Sequence, residues 1–148
     1  MQIRIYNQHD KSSLIQLFRD NSPKFFAVEE EQDYRNYLEN EVEDYFVLIN
    51  NSEIVGCGGI NYFPNQRMAR ISWDMVKASA HGTGIGTKLT EYRINLLEQN
   101  SEVEKIVVRT SQLAYKFYEK MGFQLIKVQE DFWANNLHLY EMEVILRR

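Results

Sequence analysis

The segment HGTGIGTKL, residues 81–89, sets Gly82, Gly84 and Gly86 at alternate positions directly ahead of a periodic apolar run. Glycine costs about 1 kcal/mol against alanine inside a helix, so this spacing marks a backbone that something must approach closely. The start of the following helix offers unpaired N–H groups and a positive dipole end, which together suit an anion. Tight strand-to-helix packing is the structural alternative. Two phosphate-binding patterns fail here. A G-x-x-x-x-G-K-[ST] loop needs its lysine directly after the last glycine, but Thr87 separates Gly86 from Lys88. A G-x-G-x-x-G fingerprint begun at Gly82 or Gly84 meets Thr87 or Leu89 at its third glycine, and Glu104 precedes the next strand instead of closing it.

Other reactive side chains are few. Asp74 alternates in phase with Val76, which places a carboxylate on that side of a strand as a candidate proton acceptor. A carboxylate fixed by a neighbouring arginine is the bland alternative. Cys57 is the only cysteine, has no histidine near it in sequence, and reads as a small buried residue. His9, His81 and His138 are scattered, so no metal-ligand spacing exists and no metal is expected.

The elements that must position these groups follow from periodicity. Ile3 and Ile5 alternate as a short strand, and Asp10 can cap a helix carrying Leu14, Ile15, Leu17 and Phe18 that stops near Pro23. A second helix spans residues 29–41, with Tyr34, Tyr37 and Leu38 inward. Its Glu29-Glu30-Glu31 opening stabilises a helix N-terminus or lines an amine-binding mouth. Residues 45–50 and 54–63 form a hairpin in which Gly56, Gly58 and Gly59 mark a bulge or close packing. Residues 68–76 form a third strand, with Ile71, Trp73 and Met75 on one face and Ser72, Asp74 and Val76 on the other. The helix after the glycines shows Ile85, Leu89, Tyr92 and Leu96 as its buried stripe. A β-branched strand at 105–108, a helix over 111–121 ended by Gly122, and two antiparallel strands complete the chain.

The 148 residues suit one domain over 1–148 with a sizeable core. With 17 basic against 21 acidic residues the net charge is −4, which argues against a nucleic-acid partner. The opening residues lack a basic segment followed by an apolar one, and no apolar run approaches a membrane span. A cytoplasmic protein with no membrane partner is expected.

The stretch VKASAHGTGIGTKL (76–89) resembles the pyrophosphate loop of the GNAT superfamily of N-acetyltransferases, [Q/R]-x-x-G-x-[G/A] between a strand and a helix. Gly84 and Gly86 sit on the signature glycines, Gly82 on a frequent extra one, and His81 replaces the usual Arg or Gln. SQLAYKFYEKMGF (111–123) is similar to the family's N-x-x-A-x-x-[LF]-Y-x-K-x-G-F segment, with Ala114, Phe117, Tyr118, Lys120, Gly122 and Phe123 in place and Ser111 for the usual Asn. The element order also agrees along nearly the whole chain.

The resemblance implies an α/β fold: a mixed, mostly antiparallel sheet of six to seven strands flanked by about four helices. Two parallel strands, those of 68–76 and 105–108, splay apart to admit coenzyme A. It implies acetyl-CoA as cosubstrate, held by Met75, Val76, His81, Gly82, Thr83, Gly84, Ile85, Gly86, Thr87, Ser111, Ala114, Phe117 and Tyr118. The Val76 amide would face the acyl oxygen, and Tyr118 would protonate the departing thiolate, since a phenol of pKa about 10 keeps its proton at neutral pH. Phe26, Trp133 and His138 are candidates for the acceptor pocket, with Phe25 and Tyr140 beside them. The expected activity is transfer of an acetyl group to a primary amine of a small molecule or peptide by direct attack in a ternary complex, by a monomer or homodimer. The alternatives are a non-catalytic acyl-CoA-binding domain of the same fold and a nucleotide-binding module.

Overall fold

The computed structural model describes residues 1–147. The elements run β1 (Gln2–Ile5), α1 (Lys11–Asp20), α2 (Glu30–Asn36), β2 (Asp44–Asn50), β3 (Glu53–Phe63), β4 (Met68–Val76), α3 (Ile85–Glu98), β5 (Lys105–Thr110), α4 (Tyr115–Lys120), β6 (Gln124–Ala134) and β7 (Leu137–Ile145). The seven strands form one sheet in the order β1-β2-β3-β4-β5-β7-β6. Every pairing is antiparallel except β4 with β5. The expected α/β architecture and its single parallel pair are therefore present.

That parallel pair is short. Its register runs Met68 with Lys105 to Ile71 with Val108 and ends there, so the strands part beyond Ile71 and a wedge opens between them. Within the wedge, β4 also changes face. Cys57 pairs with Met75 and Gly59 with Ser72, so Gly58 opposes both Trp73 and Asp74 in a β-bulge. Trp73 takes the left-handed conformation, φ 52°, an unusual backbone for a bulky residue. The simple alternation expected for β4 is thereby corrected: Ile71 packs with α3 in one core, while Trp73 and Met75 pack with α1 and α2 in the other.

The sheet separates these two cores. On one face Leu14, Phe18, Tyr34, Tyr45 and Cys57 pack beneath α1 and α2. On the other, Ile60, Ile71, Leu89, Ile106 and Phe123 pack beneath α3 and α4. The three β3 glycines allow this closeness. A Cβ at Gly59 would lie 2.4 Å from the Tyr45 ring, and one at Gly56 2.9 Å from both Ile85 and Leu89.

Several local expectations change. Asp10 precedes α1 but gives it no side-chain cap; its carboxylate instead takes both Arg4 amines at 2.8 and 2.9 Å and the Asn7 amide at 2.9 Å. The single helix over 29–41 is α2 followed by a wider π turn, Tyr37–Glu41. The buried stripe of α3 is Ile85, Leu89, Arg93 and Leu97, whereas Tyr92 and Leu96 are largely exposed. The helix over 111–121 begins only at Tyr115, because Ser111 Oγ accepts the Leu113 amide at 3.2 Å and forms a turn. It ends as expected at Gly122, φ 102°, with the Gly122 amide on the Glu119 carbonyl and that of Phe123 on Tyr118.

Candidate active site

The wedge between β4 and β5 opens into a cleft of about 970 Å³. Most residues expected to hold the cofactor line it: Met75, Val76, His81, Gly82, Gly84–Thr87, Ser111, Ala114, Phe117 and Tyr118. Thr83 does not; it stays exposed and donates Oγ1–H to the Ala80 carbonyl at 2.5 Å.

Gly82 and Gly84 adopt φ 80° and 88°, a conformation that costs other residues roughly 1–2 kcal/mol. A Cβ at either position would meet nothing within 4 Å, so conformation and not crowding selects glycine there. The loop thus delivers the chain to Ile85, where α3 begins with no acidic residue in its first turn. The amides of Ile85, Gly86 and Thr87 have no partner within the helix, since the first helical bond is Lys88 N–H to the Gly84 carbonyl at 3.0 Å. Phe117 closes on Gly86, 3.4 Å from where its Cβ would stand. The arrangement fits a pyrophosphate with the remainder of a coenzyme running toward the wedge.

Val76 marks the inner end of that path. Lys77 N–H bonds the Val55 carbonyl at 2.8 Å, so by the alternation of an antiparallel ladder the Val76 amide turns away from β3 into the wedge. The Val76 carbonyl shares that side and is capped by Asn21 Nδ2 at 3.1 Å and His81 Nε2 at 2.8 Å. A carbonyl can only accept, so His81 carries its hydrogen on Nε2. The His81 ring also stands edge-on to Phe25, 5.3 Å between centroids. Expected to face a phosphate, His81 instead commits its Nε2 hydrogen to the strand.

Asp74 lies deeper. Arg93 reaches it from α3 with Nη1 at 2.5 Å and Nη2 at 2.9 Å, and Tyr118 donates its hydroxyl to Asp74 Oδ2 at 2.6 Å. Arg93 is 1% exposed and also donates to the Gly59 and Leu89 carbonyls at 3.0 and 3.1 Å. Burial pushes the Tyr118 hydroxyl well above its ordinary value, and the adjacent Asp74 charge adds to that. Both Asp74 oxygens are occupied, so the carboxylate fixed by an arginine is what the fold contains. Arg93 was missed because an arginine amid Ile85, Leu89 and Leu97 breaks an apolar stripe; its four-residue spacing from Leu89 and Leu97 was the available signal. Gly58 makes room for the pair: a Cβ there would lie 2.7 Å from Asp74 Oδ1 and 2.8 Å from the guanidinium carbon.

The other end of the cleft lies on the α1–α2 face. Phe25, Phe26 and Trp133 line it as expected, together with Glu30, Arg70 and Arg109. Phe26 stacks on Trp73 at 5.8 Å, and Trp133 Nε1–H bonds the Thr110 carbonyl at 3.1 Å. His138 and Tyr140 do not reach it. His138 Nδ1 accepts the Asp131 amide at 3.0 Å, and Tyr140 packs on Tyr115 at 4.7 Å. Of the acidic triplet, Glu30 combines both suggested roles: it accepts the Ala27 amide at 2.8 Å and lines the cleft, with burial raising its pKa. Glu31 is bound by Arg19 and Arg35 instead. Cys57 is fully buried, burial pushes its thiol up to about 11, and it accepts from Tyr45 at 3.2 Å.

Comparison with known proteins places this geometry in context. The family model described as an acetyltransferase (GNAT) domain matches residues 14–146. Amino-acid acetyltransferases from Mannheimia succiniciproducens and Edwardsiella ictaluri are 26% and 27% identical to the chain, in each case over 86% of it and 28% of the relative. The chain thus spans about 28% of the length of these curated relatives. An aminoglycoside 6'-N-acetyltransferase solved with coenzyme A superposes with a TM-score of 0.78 at 18% identity, over 100% of this chain and 98% of that one. A ribosomal-protein-alanine N-acetyltransferase from Brucella melitensis gives 0.76 at 17%, over 99% and 100%. At these identities the structural likeness is one of fold.

Proposed function

Because the chain belongs to the GNAT acetyltransferase family, we propose that its cleft binds acetyl-CoA and passes the acetyl group directly to a primary amine of a small molecule or a peptide, with both ligands held at once. The observation that best supports this reading is the convergence of the Ile85–Thr87 amides, the Val76 amide and the Tyr118 hydroxyl on one cleft of about 970 Å³. The relatives named amino-acid acetyltransferases are consistent with a small amine.

Bound acetyl-CoA would supply an activated acyl thioester. Gly82, Gly84 and the start of α3 would hold its pyrophosphate, and Met75, Val76, Ser111, Ala114 and Phe117 would line the path of its arm. The Val76 amide would donate where the acyl oxygen gains charge, a kind of stabilisation worth roughly 3–4 kcal/mol per donor. Asn21 and His81, by fixing the Val76 carbonyl, would keep that stretch of backbone aimed. Tyr118 holds a proton at Oη for the departing sulfur. Asp74 and Arg93 position it, and Asp74 would take the amine proton through water, since both of its oxygens are engaged. Phe26 and Trp133 would flank the acceptor.

Calorimetric titration with acetyl-CoA, for the native chain and His81→Ala, tests the cofactor side, and CoA release with a panel of amines tests the transfer. Micromolar binding weakened several-fold in His81→Ala, with CoA release, is expected. Binding without release from any amine would leave an acyl-CoA-binding domain. No binding would overturn the reading altogether.

A further inference from the structure

Arg70 stands apart from the other arginines that line or brace this molecule. Arg4, Arg19, Arg35, Arg67, Arg93 and Arg109 each have a carboxylate oxygen within 4.0 Å. Arg70 and the exposed Arg147 have none among the described residues, and of these two only Arg70 is half-buried and lines the cleft. Its guanidinium lies over the Phe63 ring, 4.9 Å from the centroid. Its neighbours Ala69 and Ile71 are buried on the α3 face, so alternation turns Arg70 to the α1–α2 face, where the acceptor end of the cleft lies.

A second cation stands beside it. Arg70 pairs with Val107 across the parallel ladder, and Arg109, two residues further along β5, shares that face and also lines the cleft. Arg109 is held loosely, 3.7 Å from Glu141, and packs over the Phe132 and Trp133 rings. Burial lowers the Arg70 pKa and Arg109 lowers it further, while the Glu141 and Glu41 charges act in the opposite sense without outweighing them. A charge disfavoured by burial and by a like neighbour is stabilised by an anion placed between the two. The acids of the α2–β2 side are otherwise occupied: Glu41 accepts from Asn36, Glu43 from Asn61 and Tyr62, and Glu30 from Ala27.

We infer that the amine acceptor carries a carboxylate remote from its reacting nitrogen, and that Arg70, with Arg109 beside it, holds that carboxylate. The planar guanidinium fork matches a carboxylate in two parallel hydrogen bonds. A doubly charged phosphate is less suited, because Glu30, Glu41 and Glu43 line the same cleft. The separation follows from the strand. Arg70 and Asp74 are four residues apart on β4, at most about 13 Å along the strand and less where the bulge at Trp73 shortens it, and Arg70 leans toward Phe63, which pairs with Met68 at the far end of β4. Several bonds therefore lie between carboxylate and amine, as in an ω-amino acid, an acidic side chain or a peptide terminus. The inference rests on the acetyl-transfer reading of this cleft and adds the chemical class of the acceptor.

The test titrates N-acetylated glycine, glutamate, 4-aminobutyrate and 6-aminohexanoate, each as free acid and as its neutral amide, into the protein with CoA present. The native chain, Arg70→Gln and Arg70→Lys are compared. The longer acids are expected to bind at least ten-fold more tightly than their amides. That preference is lost in Arg70→Gln and partly kept in Arg70→Lys, while CoA affinity stays unchanged in both. CoA binding with no acid preference anywhere in the series, a preference that survives in Arg70→Gln, or tighter binding of inorganic phosphate than of any acid would overturn the inference alone. Absence of CoA binding would instead overturn the transferase reading beneath it.

Discussion

Tyr118 donates its hydroxyl hydrogen to Asp74 at 2.6 Å, and Arg93 grips the same carboxylate through both oxygens. A helix α4 hydroxyl, a strand β4 carboxylate and a helix α3 guanidinium thus form one buried chain of charge-assisted bonds. Its effect is to fix the direction of the phenol and to keep it protonated.

Replacing Tyr118 by Phe removes the proton and leaves the ion pair. We expect a stability loss of about 1.5–3 kcal/mol, that of one hydrogen bond to a charged group, with acetyl-CoA affinity unchanged and kcat for CoA release reduced roughly 10²–10⁴-fold. Stopped-time CoA release alongside urea unfolding checks both. A rate within a factor of two of the native chain would show that Tyr118 gives no proton.

The ion pair makes a different prediction. Asp74→Asn or Arg93→Met strands a buried charge or carboxylate, and each should cost about 3–5 kcal/mol in urea unfolding. The double variant should cost clearly less than the two single losses added, because no charge is left alone. Strict additivity would mean that the two side chains do not depend on each other.

Gly58→Ala places a methyl 2.7 Å from Asp74 Oδ1 and 2.8 Å from Arg93. Overpacking of this kind costs typically 1–3 kcal/mol. Activity should fall further than stability alone accounts for, because the methyl displaces the carboxylate that holds Tyr118. Thermal unfolding and CoA release measured on the same sample check this.

Alkaline titration addresses the buried phenols. Burial raises Tyr34, Tyr37, Tyr45 and Tyr118 well above the ordinary value. With folded values above unfolded ones, the unfolded chain loses protons first as pH rises. The stability tied to these groups is therefore whole below about pH 10 and is lost as pH climbs beyond it. Phenolate absorbance should show these four of the nine tyrosines ionising only together with loss of tertiary circular dichroism. Their ionisation in a protein still folded would contradict the observed burial.

Much of this was legible in the chain itself. The strands and the glycine loop follow from period-two patterning and from glycine's conformational freedom, both local properties. The face exchange within β4 was not legible, because Ile71, Trp73 and Met75 alternate as in a regular strand and nothing in their types announces a bulge. Arg93 and Arg70 were not legible either. Whether a cation in an apolar context is paired depends on Asp74 or its absence across the sheet, a relation between distant residues. His138 misleads for the same reason: its type suggests chemistry, while its strand directs it to Asp131 on β6.

The bulge at Trp73 insulates two side chains of one strand from each other. Because β4 exchanges faces there, Arg70 before it and Asp74 after it, four residues apart, project to opposite sides of the strand. A substitution that reshapes the α1–α2 side at Arg70 would therefore reach the Tyr118–Asp74–Arg93 chain only through the backbone of β4.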